Sequence, residues 1–301
     1  MLLFQQMIVL FIYMMIGYVA CKKGKLDEAF GKKISWLVLN VANPMMIITS
    51  ATNGSGSIKG SELILTAVIA FSTFLFMIVL AIFVPKIFKL ERDEESYFKL
   101  MTVFNNIGFM GFPVISAIYG NEALLYGAVF LLPYNVFFYT YGVNLVSKTK
   151  QKFQLKSVIN VGIIASALAV VLYLTQIPVP QFVKSVVQGL GNLPAPLSMM
   201  VIGISMAKLN IKEAFLDVKM LLFAMTKLIL IPICGMLVIK QFVTTVELQA
   251  VCLVMLATPA GSMTAMLAQQ HGGNYKRVAQ GVSLTTLLSV LTIPLVMMIV
   301  L

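Results

Sequence analysis

Few residues in this chain can do chemistry in water. It holds one histidine, three cysteines and eleven acidic residues among 301. No Asp or Glu lies inside a long apolar run; Glu62, Glu122 and Glu247 fall at the ends of such runs. A central carboxylate pair, the kind that binds sodium or exchanges protons inside a membrane, is therefore missing. Cys21, Cys234 and Cys252 show no C-x-x-C spacing, which argues against a metal clasp or a redox pair and leaves small apolar packing residues. There is no H-E-x-x-H, no P-loop and no nucleophile–base constellation. An intramembrane enzyme or an ATP-driven pump would have no residues to work with, and no cofactor or metal is expected. The start, Met1-Leu2-Leu3-Phe4, has no basic region before it and no A-x-A site, so a retained first helix is expected there, not a cleaved signal.

What the chain does have is apolar length. It is 59% hydrophobic and 11% charged, with a mean hydropathy of +0.95. Repeated apolar runs near 20 residues select an all-α polytopic membrane protein over a barrel. Ten helices are predicted, at roughly 2–21, 34–51, 62–84, 97–119, 123–146, 157–175, 194–207 with an amphipathic lead-in from Phe182, 219–239, 247–270 and 276–301. The net charge of +11 reports topology, not nucleic acid. Eighteen of the 22 basic residues sit in alternate loops, among them Lys22, Lys86, Lys148, Lys208 and Lys276. The positive-inside rule puts those loops in the cytoplasm of a cell (plasma or inner) membrane and both termini outside it. An even helix number is then required, and ten satisfies it.

Two stretches interrupt the apolar pattern at matching places. The first is Phe104-Asn105-Asn106-Ile107-Gly108-Phe109-Met110-Gly111-Phe112-Pro113. It carries two adjacent amides, and Pro113 should push Phe112 out of the α region and break the helix there. The second is Ala257-Thr258-Pro259-Ala260-Gly261-Ser262. A shift of 153 positions sets Asn105 on Thr258, Gly108 on Gly261, Met110 on Met263 and Asn121 on Asn274. Asn40 and Pro44 recur as Asn192 and Pro196, at a shift of 152. Five helices per copy is an odd number, so the second copy enters the membrane from the other side. The expectation is two inverted five-helix repeats, 1–150 and 151–301, joined at Ser147–Lys156, with helices 4 and 9 broken and crossing.

Broken helices in lipid are tolerated where protein or a wet cavity covers them, and there they bind ions and substrates. The candidate binding residues are Asn105, Asn106, Gly108, Gly111 and Pro113 in helix 4, Thr258, Pro259, Gly261 and Ser262 in helix 9, and Asn40, Asn43 and Pro44 in helix 2. Neutral amides can donate to a carboxylate without carrying a charge of their own; the competing role for each is to tie helices together. Lys227 lies inside the apolar run 221–232, about 12 Å along the helix from Lys219. It either snorkels to the cytoplasmic end or serves as an anion partner or coupling group.

The pattern Asn106, Met110-Gly111-x-Pro113, Tyr119-Gly120-Asn121 resembles the auxin efflux carrier family, which includes plant PIN carriers and bacterial carboxylate permeases. Pro259-Ala260-Gly261 and the ending Ile202-Gly203-Ile204-Ser205-Met206-Ala207 resemble it as well, and the likeness runs the length of the chain. It implies ten helices in two inverted repeats, a scaffold of helices 1, 2, 6 and 7, a moving transport domain from the rest, and a homodimer. It also implies that Asn106 binds the carboxylate. Thr264 stands where many plant members have a second proline, and the central loop is short. Both departures point to a compact microbial permease for a small organic anion, not to auxin. An anion channel and a ligand-binding membrane sensor are the alternatives on the same fold.

Overall fold

The structure is a computed structural model and describes residues 2–52, 58–147, 159–207, 215–270 and 274–301. The predicted repeat junction, His271 and several loop lysines lie outside these residues. Among the described residues there is no strand beyond one isolated bridge. Seven helical stretches are long and apolar enough to span a membrane: Gln5–Lys22, Glu28–Thr52, Gly60–Ile87, Leu124–Val146, Gln181–Ala207, Val218–Ile239 and Lys276–Val300. The protein is an all-helical polytopic membrane protein. The other three predicted spans form shorter helices, Ile107–Tyr119, Val161–Thr175 and Val246–Ala257. Two of these are short because their runs are interrupted. Ile107–Tyr119 is preceded by Glu95–Val103, and Val246–Ala257 is followed by Ser262–Gln270.

Helix surfaces meet lipid where apolar side chains have no protein partner. Gly60–Ile87 exposes Ile64, Val68, Leu75, Phe76, Val79 and Phe83 along its length. The amphipathic lead-in is Gln181–Gly191, with Phe182 and Val186 exposed. Inside, small residues let helices approach closely. Leu2–Lys22 packs along Pro194–Ala207 in backbone contact. A Cβ on Gly17 would lie 2.2 Å from the Met200 carbonyl, and one on Gly203 would lie 2.0 Å from that of Met14. Neither site admits any residue but glycine.

Among the described residues, four turns of wide π-helix punctuate the long helices: Val38–Ala42, Ile107–Gly111, Phe138–Gly142 and Thr226–Leu230. Three are followed, two residues on, by a proline: Pro44, Pro113 and Pro232. In each of these the residue just before the proline donates its N–H five residues back, Asn43 to Val38, Phe112 to Ile107 and Ile231 to Thr226. A proline in a regular helix clashes with the carbonyl four residues earlier. The extra residue in a π-turn moves that carbonyl aside, so the helix continues. This corrects the expected break at Pro113. Phe112 keeps right-handed helical angles, φ −61° and ψ −48°, and Ile107–Tyr119 is continuous. The helix breaks upstream instead, at residues 104–106.

At one end of the molecule three helix starts are tied by charge. Arg277 pairs with Glu94 at 2.6 Å and with Asp217, and its guanidinium lies 5.6 Å from the centre of the Phe98 ring. Asp217 also caps the helix Val218–Ile239 by accepting from the Met220 N–H at 3.0 Å. Burial would raise the Asp217 carboxyl. The hydrogen bonds from Met220 and Arg277 outweigh it and hold the group below its ordinary value of 3.8.

Candidate functional site

The two interruptions meet. Asn106 donates its N–H to the Pro259 carbonyl at 2.8 Å, and Gly261 donates to the Phe104 carbonyl at 2.9 Å. The pair forms an antiparallel bridge centred on Asn105 and Ala260. Each gap supplies the partner for backbone groups that the other gap released, which is what a dry interior demands. Ala260 donates in addition to Thr285 Oγ1 at 3.2 Å. Gly261 is needed for the approach. A Cβ there would sit 3.1 Å from the Asn105 carbonyl oxygen and 3.3 Å from that of Phe104.

Breaking two helices leaves two negative ends and two positive ends near the crossing. The negative ends are covered. Lys227 is wholly buried, and its ammonium donates to the Thr102 carbonyl at 3.1 Å and to Asn105 Oδ1. Thr102 belongs to the last turn of Glu95–Val103. The Asn105 amide donates in turn to the carbonyls of Met255 at 2.5 Å and Leu256 at 3.1 Å, in the last turn of Val246–Ala257. One lysine and one asparagine thus cap both carbonyl ends. Lys227 does not snorkel; it points into the crossing.

The positive ends face a cavity of about 200 Å³. Ile107 and Gly108 line it from the start of Ile107–Tyr119, and Gly261 and Ser262 from the start of Ser262–Gln270. Six asparagines share the wall: Asn40, Asn43, Asn105, Asn106, Asn135 and Asn160. Among the described residues no charged side chain lines it. Asn106 caps its helix by accepting from the Phe109 N–H at 3.3 Å, which turns its Nδ2 away. That Nδ2 is buried and has no partner among the described residues. Asn43 donates to the Gly108 carbonyl at 3.1 Å, and its Oδ1 is likewise buried and without a partner. A buried amide group left without a partner costs about 1–3 kcal/mol. Two of them beside two helix N-termini make a site that a polar ligand would complete. A larger groove of about 430 Å³, between Gly60–Ile87 and the end of Val218–Ile239, is lined almost wholly by apolar side chains and offers no such groups.

The structure gathers most of the predicted residues and sets some apart. Asn40, Asn43, Asn105, Asn106, Gly108, Gly261 and Ser262 line the cavity. Pro44, Gly111, Pro113, Thr258 and Pro259 do not line it. The two helix-2 and helix-4 prolines shape the π-turns, and Pro259 offers its carbonyl to Asn106. Gly111 lies against Thr258 Cγ2, where a Cβ would make an ordinary 3.7 Å contact. Thr258 is buried, and its hydroxyl turns back to the Met255 carbonyl at 3.4 Å. Sequence reasoning missed Asn135, Asn160 and Tyr139. Asn160 donates to Asn135 Oδ1 at 2.6 Å and caps Val161–Thr175 through Ile163. The available signal was Pro133 with Asn135 inside the apolar run 128–138.

A family model described as "Membrane transport protein" matches residues 2–158 and 148–297. An uncharacterized transporter of Methanocaldococcus jannaschii is 25% identical to this chain over 301 residues, covering 96% of each.

Proposed function

Because the chain belongs to the membrane transport protein family, that of the auxin efflux carriers, we propose that it is a secondary transporter of a small organic anion, a mono- or dicarboxylate. The observation that carries this reading is the Asn106 Nδ2. It is buried, unpartnered and set at the N-terminal end of Ile107–Tyr119 in the wall of an uncharged, amide-lined cavity. A carboxylate there would accept from Asn106 and lie in the positive field of two half-helix ends. Neutral donors suit a carrier, since the anion must also leave. A cavity of about 200 Å³ is smaller than a drug-sized pocket and suits a ligand of few atoms.

The proposed architecture is ten spans in two inverted five-helix repeats, 1–150 and 151–301. The proposed mechanism is alternating access of the elevator type, with the crossing carried on the moving part. The packing supports this division. Leu2–Lys22 packs on Pro194–Ala207 and Asn43–Thr52 on Val161–Thr175, while Gly60–Ile87 packs on Glu95–Val103 and Leu124–Phe137. The bonded crossing lies across the interior, which favours a carrier over an anion channel. Placement in a cell membrane with both termini outside the cytoplasm, and a homodimer, complete the proposal.

The test is binding to purified full-length protein, read as a ligand-induced rise in thermal unfolding temperature. The panel is mono- and dicarboxylates, with pH and sodium varied. Saturable binding of a short carboxylate supports the reading. Binding of cationic or uncharged solutes alone would overturn it.

A further inference from the structure

Lys227 is a buried basic side chain at the crossing, and among the described residues it has no acidic partner. It sits within the span Val218–Ile239 and is 0% exposed. Among the described residues no carboxylate pairs with it, and every hydrogen bond it makes runs outward from Nζ to an acceptor. Both partners are oxygen acceptors, which the amine satisfies as a donor in either protonation state, and an anion placed nearby favours the ammonium. The two helix carbonyl ends nearby supply only partial negative charge, about half an elementary charge each. They orient the ammonium and spread its field without matching it with an anion.

Of the two groups that Lys227 bonds, Asn105 reaches the cavity. Lys227 holds one face of the Asn105 amide, and Asn105 is itself part of the cavity wall. On the cavity side the starts of Ile107–Tyr119 and Ser262–Gln270 add partial charge of the same sign. In a medium of low dielectric constant such charges act across several ångströms.

We propose that Lys227, as its ammonium, is the counter-charge of the transported anion and acts by its field from behind Asn105 without touching the ligand. It makes the cavity select a carboxylate over an uncharged molecule of the same shape. With one anion bound beside the ammonium the crossing is close to electrical balance. Lys227 is thus a specificity-determining residue, placed one hydrogen bond behind the wall. This inference rests on the cavity being the transport site.

The test compares each straight-chain monocarboxylate of two to six carbons with its primary amide. Both are titrated into purified full-length protein, and the readout is the ratio of their affinities. A structural role for Lys227 would weaken both ligands alike and leave the ratio unmoved. We expect a ratio of at least tenfold in the native protein, retained in Lys227→Arg and lost in Lys227→Met. Asn105→Asp is the second variant, useful if Lys227→Met does not fold. It sets a carboxylate against the ammonium and cancels the charge while the lysine stays, so the ratio should fall there too. A ratio near one in the native protein, or a native ratio in Lys227→Met or Asn105→Asp, would overturn the inference and leave the transport site standing. No binding of either ligand to the native protein would remove the site and the inference together.

Discussion

The two interrupted helices do the same job for the backbone by different means. At the first, residues 104–106, side chains do the work. Asn105 and Lys227 cap carbonyls, and Asn106 caps the next helix and leaves one donor open. At the second, residues 258–261, the backbone does it. Pro259 lends a carbonyl, Gly261 lends an N–H and room, and Thr258 bonds to its own helix. A polar side chain satisfied by its own helix has nothing left for a ligand, whereas one orphaned in a dry wall does. The lesson is that two halves related by a 153-residue shift can divide their labour, one leaving a polar donor open and the other supplying backbone fit.

The comparison is broken most directly at Asn105. Asn105→Leu strands a buried ammonium and two helix-end carbonyls, and should cost about 3–5 kcal/mol of stability. The double variant with Lys227→Met should recover part of that loss, because the stranded charge is gone. Unfolding in detergent measures both. A loss below about 1 kcal/mol in Asn105→Leu would mean that side chains do not hold the first interruption.

Next comes Asn106. Removing one hydrogen bond to a charged ligand is worth about 1.5–3 kcal/mol, or roughly ten- to a hundredfold in affinity. Asn106→Ala should weaken carboxylate binding by that factor and leave membrane insertion intact. The matching change in the other half, Thr258→Ala, should alter affinity by less than about threefold, since its hydroxyl is spent on Met255. Equal losses at the two positions would erase the division of labour.

A smaller effect separates two glycines. Gly261→Ala forces a methyl to within 3.1 Å of a backbone oxygen that the bridge holds in place. It should destabilise by about 1–3 kcal/mol. At Gly111 the added methyl meets Thr258 at 3.7 Å, an ordinary contact inside a helix. Gly111→Ala should be neutral or slightly stabilising. If the order of the two thermal stabilities were reversed, backbone fit would not be what the second interruption supplies.

The smallest expected effect lies away from the crossing, at Asp217. Its carboxyl is held below 3.8, so the folded state favours the ionised form. Its contribution is present in full above the unfolded value and is lost as pH falls through the lower folded value. The Asp217 contribution to stability should therefore be flat from pH 5 upward and be lost in strong acid, and Asp217→Asn should remove that part of the acid slope. An acid slope unchanged in Asp217→Asn would mean that the Arg277 cluster does not stabilise the helix starts.

Much of this was legible from the chain alone. Apolar runs near 20 residues can be satisfied only as spanning helices, because lipid offers backbone groups no partner. Adjacent amides beside helix breakers, placed alike in two halves, mark where the backbone must find partners elsewhere. That reasoning found Asn105, Asn106 and Gly261, and Lys227 stood out separately as the one basic residue well inside an apolar run. It misplaced the break at Pro113, because whether a proline ends a helix depends on the turn before it, and one extra residue in a π-turn lets it pass. It also left Lys227 open between water and interior, since a lysine stem is long enough to reach either. Asn135 and Asn160 escaped notice because each looks like a helix polar residue until the two pack together.

What composition and spacing decided by themselves was a polytopic helical protein with two interrupted helices and a neutral polar centre. Those features follow from local demands, the need of each backbone segment to satisfy itself in lipid. What only the tertiary structure decided was which polar atoms are spent and which are left over. Asn105 and Asn106 are neighbours of the same type, yet one is bonded on both sides of its amide and the other keeps a donor free. That difference arises from the carbonyls of Met255 and Leu256, 150 and 151 residues away. Hydrogen bonds saturate pair by pair, so a side chain's remaining capacity is settled by the partners that folding brings to it.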